Sequence, residues 1–109
     1  MEMRYTSQQL EKIINEAAIY MCACPCQVAV QLRHLRELYR YQTHCQLDPG
    51  NDLAVHQAIA AATLEAHVLM EACLEKVLVM EGWDPVTLAM PEGLRRKRCL
   101  LYTSDAADE

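Results

Sequence analysis

The sequence has no phenylalanine, one tryptophan and three glycines among its 109 residues. Without phenylalanine, a hydrophobic core must be built from Leu, Ile, Val, Ala and Met side chains. So few glycines leave no Gly-rich phosphate-binding loop and no G-x-S-x-G nucleophile turn. The CxxC spacing of common zinc sites and the CxxCH haem motif are also absent. These absences exclude the familiar signatures of nucleotide-binding proteins, α/β-hydrolases and c-type haem proteins.

The sequence also lacks obvious targeting segments. Residues 1–7 do not show the basic and then apolar pattern of a signal peptide. The longest uninterrupted apolar run, residues 17–25, is too short to cross a bilayer. We therefore expect a cytoplasmic protein with no membrane partner, whose cysteines are reduced.

The last eleven residues, CLLYTSDAADE, resemble a translated sequencing adapter. The reverse complement of a common transposase adapter encodes this string, so we interpret residues 99–109 as a non-native tail. The native sequence is then expected to end, or to be interrupted, near Arg98. Without Asp105, Asp108 and Glu109 the net charge changes from −5 to −2. Residues 1–98 are enough for a single domain with a modest core.

The first half of the chain has the pattern of an amphipathic helix. Thr6 and Gln9 have the spacing of a capping box. Apolar residues then recur at steps of three and four and keep their phase through Pro25. This predicts one long helix over about residues 7–46, kinked at Pro25. The alternative is two helices, with Cys24 as the N-cap and Pro25 at the first helical position. The stripe comprises Leu10, Ile14, Ala17, Met21, Cys24, Val28, Leu32, Leu35 and Tyr39.

A second long helix is predicted over residues 52–81. The DPGND sequence at 48–52 is the clearest turn in the chain, and Asn51 or Asp52 is suited to cap the helix that follows. Gly82 is suited to end it. Beyond that glycine, residues 83–98 are predicted to be irregular. The predicted buried stripe of the second helix is Val55, Ile59, Ala62, Ala66, Leu69, Cys73, Val77 and Met80.

The short turn makes the two long helices antiparallel neighbours, so the predicted fold is an all-α hairpin. Both helices carry a second set of apolar residues, and this requires burial on two faces. We favour two hairpins paired as a four-helix homodimer. The alternative is a monomeric three-helix bundle in which the first helix breaks at Pro25. The second apolar set comprises Val30, Leu38, Tyr41, Leu64, Val68 and Leu78.

A cluster of cysteines surrounds the proline. Cys22, Cys24 and Cys26 flank Pro25, and the antiparallel register places Cys73 opposite the same point. Four thiolates suit zinc, copper(I) or an iron–sulfur cluster. In an unbroken helix Cys24 points about 200° away from its two neighbours, so convergence requires a break in the backbone near Pro25. The alternative interpretation is that these cysteines are small apolar residues of the core.

A second, weaker group of metal donors flanks the turn. His44, Cys45 and His56 could meet at that end of the hairpin, although polar residues near a loop are more often simply solvated. Glu-x-x-His pairs are absent, which excludes a di-iron carboxylate bundle. The basic run Arg95, Arg96, Lys97 and Arg98 could contact phosphate, but no basic helical face accompanies it, and we do not expect nucleic-acid binding.

These patterns lead to two functional hypotheses. The first is a small cytoplasmic protein that binds a soft metal or senses thiol redox state through Cys22, Cys24, Cys26 and Cys73. The second is a non-catalytic helical interaction or dimerisation module whose cysteines pack the core and whose second apolar face binds a helix of a partner. Cys26 and His34 are too far apart along one helix for direct proton transfer, and Cys45 and His56 are nearer but lie in an exposed corner, so we do not expect an enzyme.

Overall fold

A computed structural model describes residues 1–19, 24–48, 50 and 52–91 of the chain, and these residues form three helices and no strand. Helix α1 spans Ser7–Ile19, α2 spans Cys24–Cys45 and α3 spans Leu53–Glu81. The predicted all-α class is confirmed.

Helix α1 folds back along α2. The Arg36 side chain donates a hydrogen bond from Nη2 to the carbonyl of Tyr5, although the two residues are 31 apart in sequence. One continuous helix would separate them by about 46 Å. The single kinked helix over residues 7–46 is therefore wrong, and the alternative with separate helices is correct. Residues 20–23 lie outside the described part of the chain.

The position of Pro25 explains where α2 begins. Helix α2 begins at Cys24, and Pro25 is buried in its first turn. A proline at this position costs no backbone hydrogen bond, because the first amides of a helix have no intrahelical acceptor. Proline thus begins a helix at this point and does not bend one. Helix α2 packs against both α1 and α3, so the three-helix alternative is confirmed. The four-helix bundle that we preferred would need a second chain.

The helix ends follow local signals. At α1, the Thr6 amide donates to Gln9 Oε1 and the Gln9 amide donates to Thr6 Oγ1, which closes the expected capping box. At α3, Asp52 accepts from the first free amides of the helix. Gly82 ends α3 with a φ of 77°, and the amides of Gly82 and Trp83 bond back to the last helical carbonyls. This is a Schellman motif, which needs the left-handed conformation that glycine adopts easily.

The hydrophobic core lies between α1, α2, α3 and the irregular segment that follows Gly82. The segment contributes Trp83, Leu88 and Met90 to the core. The amide of Met90 also donates a hydrogen bond to Oε1 of buried Glu16 at 3.0 Å. Asp84 stabilises a turn in this segment, because its Oδ1 accepts hydrogen bonds from the amides of Val86 and Thr87. The core residues are Leu10, Ile13, Ala17, Ala29, Leu32, Leu74, Leu78, Trp83, Leu88 and Met90.

Helix α3 buries a different face from the predicted one. Five of its six buried residues lie one position after a member of the predicted stripe, or about 100° around the helix, and Glu71 lies two positions after Leu69. The predicted stripe is correspondingly exposed or half-buried, and the exposed fractions of Leu69 and Met80 are 71% and 75%. The prediction of the buried face was wrong because apolar residues occupy both sides of α3, while a polar network selects one of them. The buried residues are Ala60, Thr63, His67, Glu71, Leu74 and Leu78.

Candidate functional site

A buried polar cluster joins all three parts of the fold. Its members are Arg36 of α2 and His67 and Glu71 of α3, which are 8%, 1% and 2% exposed; we call them the Arg36 cluster. Arg36 Nη2 lies 3.2 Å from Glu71 Oε2, and Arg36 Nε donates to His67 Nε2 at 2.9 Å. His67 Nδ1 lies 3.6 Å from Glu71 Oε1. Each charged group is therefore paired, as burial of charge requires.

The Arg36 cluster holds the residues that precede α1. Glu71 Oε2 accepts hydrogen bonds from the amide of Arg4 at 2.7 Å and from the amide of Tyr5 at 3.2 Å. Arg36 donates to the carbonyl of Tyr5. The Glu71 carboxylate thus binds the two backbone amides of residues 4 and 5, and the Arg36 guanidinium binds the carbonyl of Tyr5. This explains why α1 lies across α2 and α3 in one orientation.

The geometry fixes the protonation of His67. Its Nε2 accepts from Arg36, so in the neutral ring the proton is on Nδ1, on the side of Glu71. Burial lowers the pKa of His67 below its usual 6.5, and Arg36 adds to this effect, while Glu71 opposes it. Burial also lowers the pKa of Arg36, opposed by Glu71. A second proton on His67 would place two N–H donors face to face and break the bond to Arg36.

One atom of the cluster has no partner. Among the described residues, Arg36 Nη1 is the only buried side-chain nitrogen or oxygen without a hydrogen bond. A buried polar atom in this state costs about 1–3 kcal/mol, which normally indicates a water or an ion. The other polar contacts of the cluster are made to protein groups, which is typical of a structural network.

The predicted cysteine site is only partly within the described residues. Cys22 lies outside them. Cys24 is exposed at the start of α2, Cys26 is half-buried against the core, and Cys73 is exposed on α3. The predicted stripes placed Cys24 and Cys73 in the interior, and neither is there. Within the described ranges no three His, Cys, Asp or Glu side chains lie close enough to hold one metal ion.

The residues near the turn have other partners. His56 Nδ1 forms a hydrogen bond with Oε1 of buried Gln42, which links α3 to α2 just beside the turn. His44 is exposed. The Tyr41 hydroxyl forms a hydrogen bond with Cys45, and this bond raises the pKa of Tyr41. His44, Cys45 and His56 are therefore not assembled into a metal centre in the described structure.

An extended apolar surface lies on α3, outside the core of the described residues. The predicted buried stripe of α3, which we now call the outer stripe, is exposed or half-buried along its length. Beside it runs an open groove of about 430 Å³ between α2 and α3. The groove is lined by Leu35, Leu38, Ala58, Ile59, Ala62, Thr63 and Ala66.

Helix α3 is apolar enough to be compared with a membrane span. By length and composition alone, its 29 residues and the mean hydropathy of 1.3 in its most apolar 18-residue window would allow it to cross a bilayer. Only 17% of its most apolar window is buried, far less than in the central helix of a soluble bundle. Among the described residues, the apolar face of α3 is therefore largely left unpacked.

No family model, curated protein sequence or solved structure matches the chain. The sequence contained part of the signal for the Arg36 cluster, because His67 and Glu71 are four residues apart and share a helical face. Arg36 could not be assigned to the cluster from the sequence, because the predicted register between α2 and α3 did not place it beside His67 and Glu71.

Removing the charge of Glu71 should destabilise the protein far more than the same change at Glu75. Both carboxylates pair with an arginine, but Glu71 is buried while the Glu75 side chain is 54% exposed. Glu71→Gln leaves a buried guanidinium unpaired and should cost about 3 kcal/mol, whereas Glu75→Gln should cost less than about 1 kcal/mol. Denaturant unfolding measures both. Equal losses would show that the Arg36 cluster does not stabilise the fold.

Acidification should weaken the fold through His67. Because its pKa is lowered on folding, the unfolded chain binds more protons than the native chain below about pH 6.5, and stability should fall as the pH drops through that range. His67→Gln keeps an acceptor for Arg36 without titrating. Thermal unfolding between pH 7 and pH 5 should show a smaller decrease in Tm for His67→Gln than for the natural chain. His34 is exposed, so His34→Gln serves as the control and should show the same decrease in Tm with pH as the natural chain. The same decrease in all three proteins would show that His67 is not the group responsible.

Proposed function

We propose that this protein is a non-catalytic, cytoplasmic helical interaction module that forms a homodimer through the outer stripe of α3. The observation that carries this proposal is the exposure of an uncharged stripe along the longest helix. Large contiguous apolar surfaces are rare on monomeric proteins and mark interaction sites. The stripe extends from Val55 to Met80, over most of a helix about 44 Å long.

The spacing of the outer stripe suits packing against another helix. Its members recur at steps of three and four, as in the seam of a helical bundle. Ala62 and Ala66 are small and would let a second helix approach closely, while Leu69 and Met80 project far enough to fill a facing groove. The groove beside Leu35 and Leu38 provides a place for such side chains.

A second copy of the chain is the partner that best fits this surface. A two-fold axis would bring two outer stripes together, so that each apolar face covers an identical one. Four helices, α2 and α3 from each chain, would then form the bundle.

The Arg36 cluster argues for a soluble partner over a bilayer. If α3 crossed a membrane, His67 and Glu71 would lie within the hydrocarbon. Either Glu71 would lose its ion pair with Arg36, or the Arg36 side chain would also have to enter the hydrocarbon, and both arrangements cost free energy. In a soluble dimer the cluster stays intact on the inner face of α3. The cluster and the outer stripe then use different faces of one helix.

A charge placed on the outer stripe should separate the dimer without unfolding the chain. Leu69→Asp introduces a carboxylate at a position that is 71% exposed in the single chain, so the helix should remain folded. In sedimentation equilibrium, the natural protein should show twice the 12.4 kDa chain mass, and Leu69→Asp should show the mass of one chain. Circular dichroism should give equal helix content for both.

The matched control is Val86→Asp. Val86 is 85% exposed and lies in the segment after α3, away from the outer stripe. This variant carries the same added charge and should remain a dimer. A natural chain that sediments as a monomer would reject the proposal. Sedimentation of the dimer only in the presence of detergent or vesicles would favour a membrane partner instead.

We retain soft-metal or thiol redox chemistry as the second candidate function, because one observation favours it. Convergence of Cys22, Cys24 and Cys26 requires a backbone break near Pro25, and α1 and α2 are separate helices on either side of residues 20–23. The candidate cofactors remain zinc, copper(I) or an iron–sulfur cluster, with Cys73 as the proposed fourth ligand.

Metal binding should be visible in the composition of the purified protein. If the cysteine cluster is a metal site, anaerobically purified protein should contain one zinc, copper or iron–sulfur unit, and three or four thiols should resist a labelling reagent until a chelator is added. A variant with Cys24→Ser and Cys26→Ser should lose the metal, while Cys45→Ser should keep it. Metal-free protein with fully reactive Cys24 and Cys73 would reject this second function.

A further inference from the structure

A small cleft between the start of α1 and one side of α2 is lined by three arginines. Its lining comprises Ser7, Arg33, Arg36, Glu37 and Arg40, and its volume is about 160 Å³; we call it the arginine cleft. Positions 33, 36 and 40 are three and four residues apart, so they share one face of α2. The fold of α1 against α2 brings Ser7 to that face.

The charges of the arginine cleft are not balanced within the described structure. Arg36 is paired with Glu71, but neither Arg33 nor Arg40 forms an ion pair with any described residue. Glu37 supplies one negative charge to the lining. The cleft therefore carries an excess positive charge. The amino-terminal end of α1, which begins at Ser7, adds the positive end of a helix dipole.

Arg36, which carries the partnerless atom of the Arg36 cluster, is one of the residues that line the cleft. Arg36 is 92% buried and lines the cleft, and its Nη1 has no acceptor. Nη1 is closed to bulk solvent, so an anion would reach it only after a side-chain rotation. Arg33 and Arg40 are exposed and unpaired, which permits such a movement. An acceptor held there would satisfy a buried donor that the protein leaves open.

We propose that the arginine cleft binds a small phosphate-class oxyanion. Guanidinium groups match tetrahedral oxyanions because their N–H donors can bond two oxygens at once. Arg33 and Arg40 would hold the anion from the open side, Arg36 Nη1 would donate from the buried side, and the start of α1 would contribute its dipole. The volume of about 160 Å³ suits one phosphate group. Inorganic phosphate and a small phosphate monoester share this chemistry.

The proposal is independent of dimerisation. Leu35 and Leu38, which line the apolar groove, each lie two positions after Arg33 or Arg36, or about 200° around α2. The arginine cleft therefore stays open when the groove is covered. Loss of phosphate binding and loss of dimerisation would be separate results, obtained with different variants.

The test is titration of the full chain with inorganic phosphate at low ionic strength, followed by the NMR shifts of amides and arginine side chains. We expect saturable shifts at Ser7, over residues 33–40 and at the Arg36 Nε–H. Arg33→Gln and Arg40→Gln should each weaken binding about tenfold or more, as loss of a charge-assisted hydrogen bond implies. Lys76→Gln removes one positive charge outside the cleft and should change the affinity by less than about twofold.

A parallel titration with free O-phosphoserine distinguishes the two sources of phosphate. Tighter binding of this monoester would identify a phosphorylated small molecule as the ligand, and equal binding would identify the free anion. Absence of saturable shifts in the natural chain would overturn the proposal. So would equal weakening by Arg40→Gln and Lys76→Gln, because that would show only a general response to net charge.

Discussion

The buried ion pair between Arg36 and Glu71 is the interaction on which the rest of this structure depends. It joins α2 to α3, and through the amides of Arg4 and Tyr5 it also fixes the start of α1. Two buried charges cannot be left unpaired without a penalty of several kcal/mol. Only one rotation of α3 about its axis brings Glu71 and His67 to Arg36. The pair thus determines which face of α3 points inward.

That choice has a direct consequence for the surface. Helix α3 has apolar residues on both sides, so its packing against α2 through the Arg36 cluster leaves the outer stripe in solvent. If hydrophobicity alone had determined the packing, α3 would have buried the outer stripe and left the face with His67 and Glu71 in solvent. Here the polar contacts specify the fold of one chain, and the apolar stripe is available for a second chain. We therefore infer that different faces of α3 provide the specificity of the fold and the association with a second chain.

Local signals in the sequence predicted the helix ends well. The Thr6–Gln9 box, the Asp52 cap and the Gly82 terminus act through hydrogen bonds between near neighbours, and these bonds are present. The break at Pro25 was harder to predict, because a proline can either kink a helix or begin one, and apolar periodicity does not distinguish the two. The rotation of α3 could not be predicted from hydrophobicity, since it depends on a contact between Arg36 and Glu71, 35 residues away. The same error placed Cys73 in the core.

The most direct measurement is the rate at which Cys73 reacts with a thiol reagent as the protein concentration is raised. Cys73 is exposed in the single chain and lies on the outer stripe, while Cys24 is exposed at the start of α2, outside that stripe. If two chains associate through the outer stripe, labelling of Cys73 should slow as the dimer forms, and labelling of Cys24 should not change. Equal and constant rates at both cysteines, across concentrations at which the sedimenting mass doubles, would place the interface elsewhere and contradict the assignment.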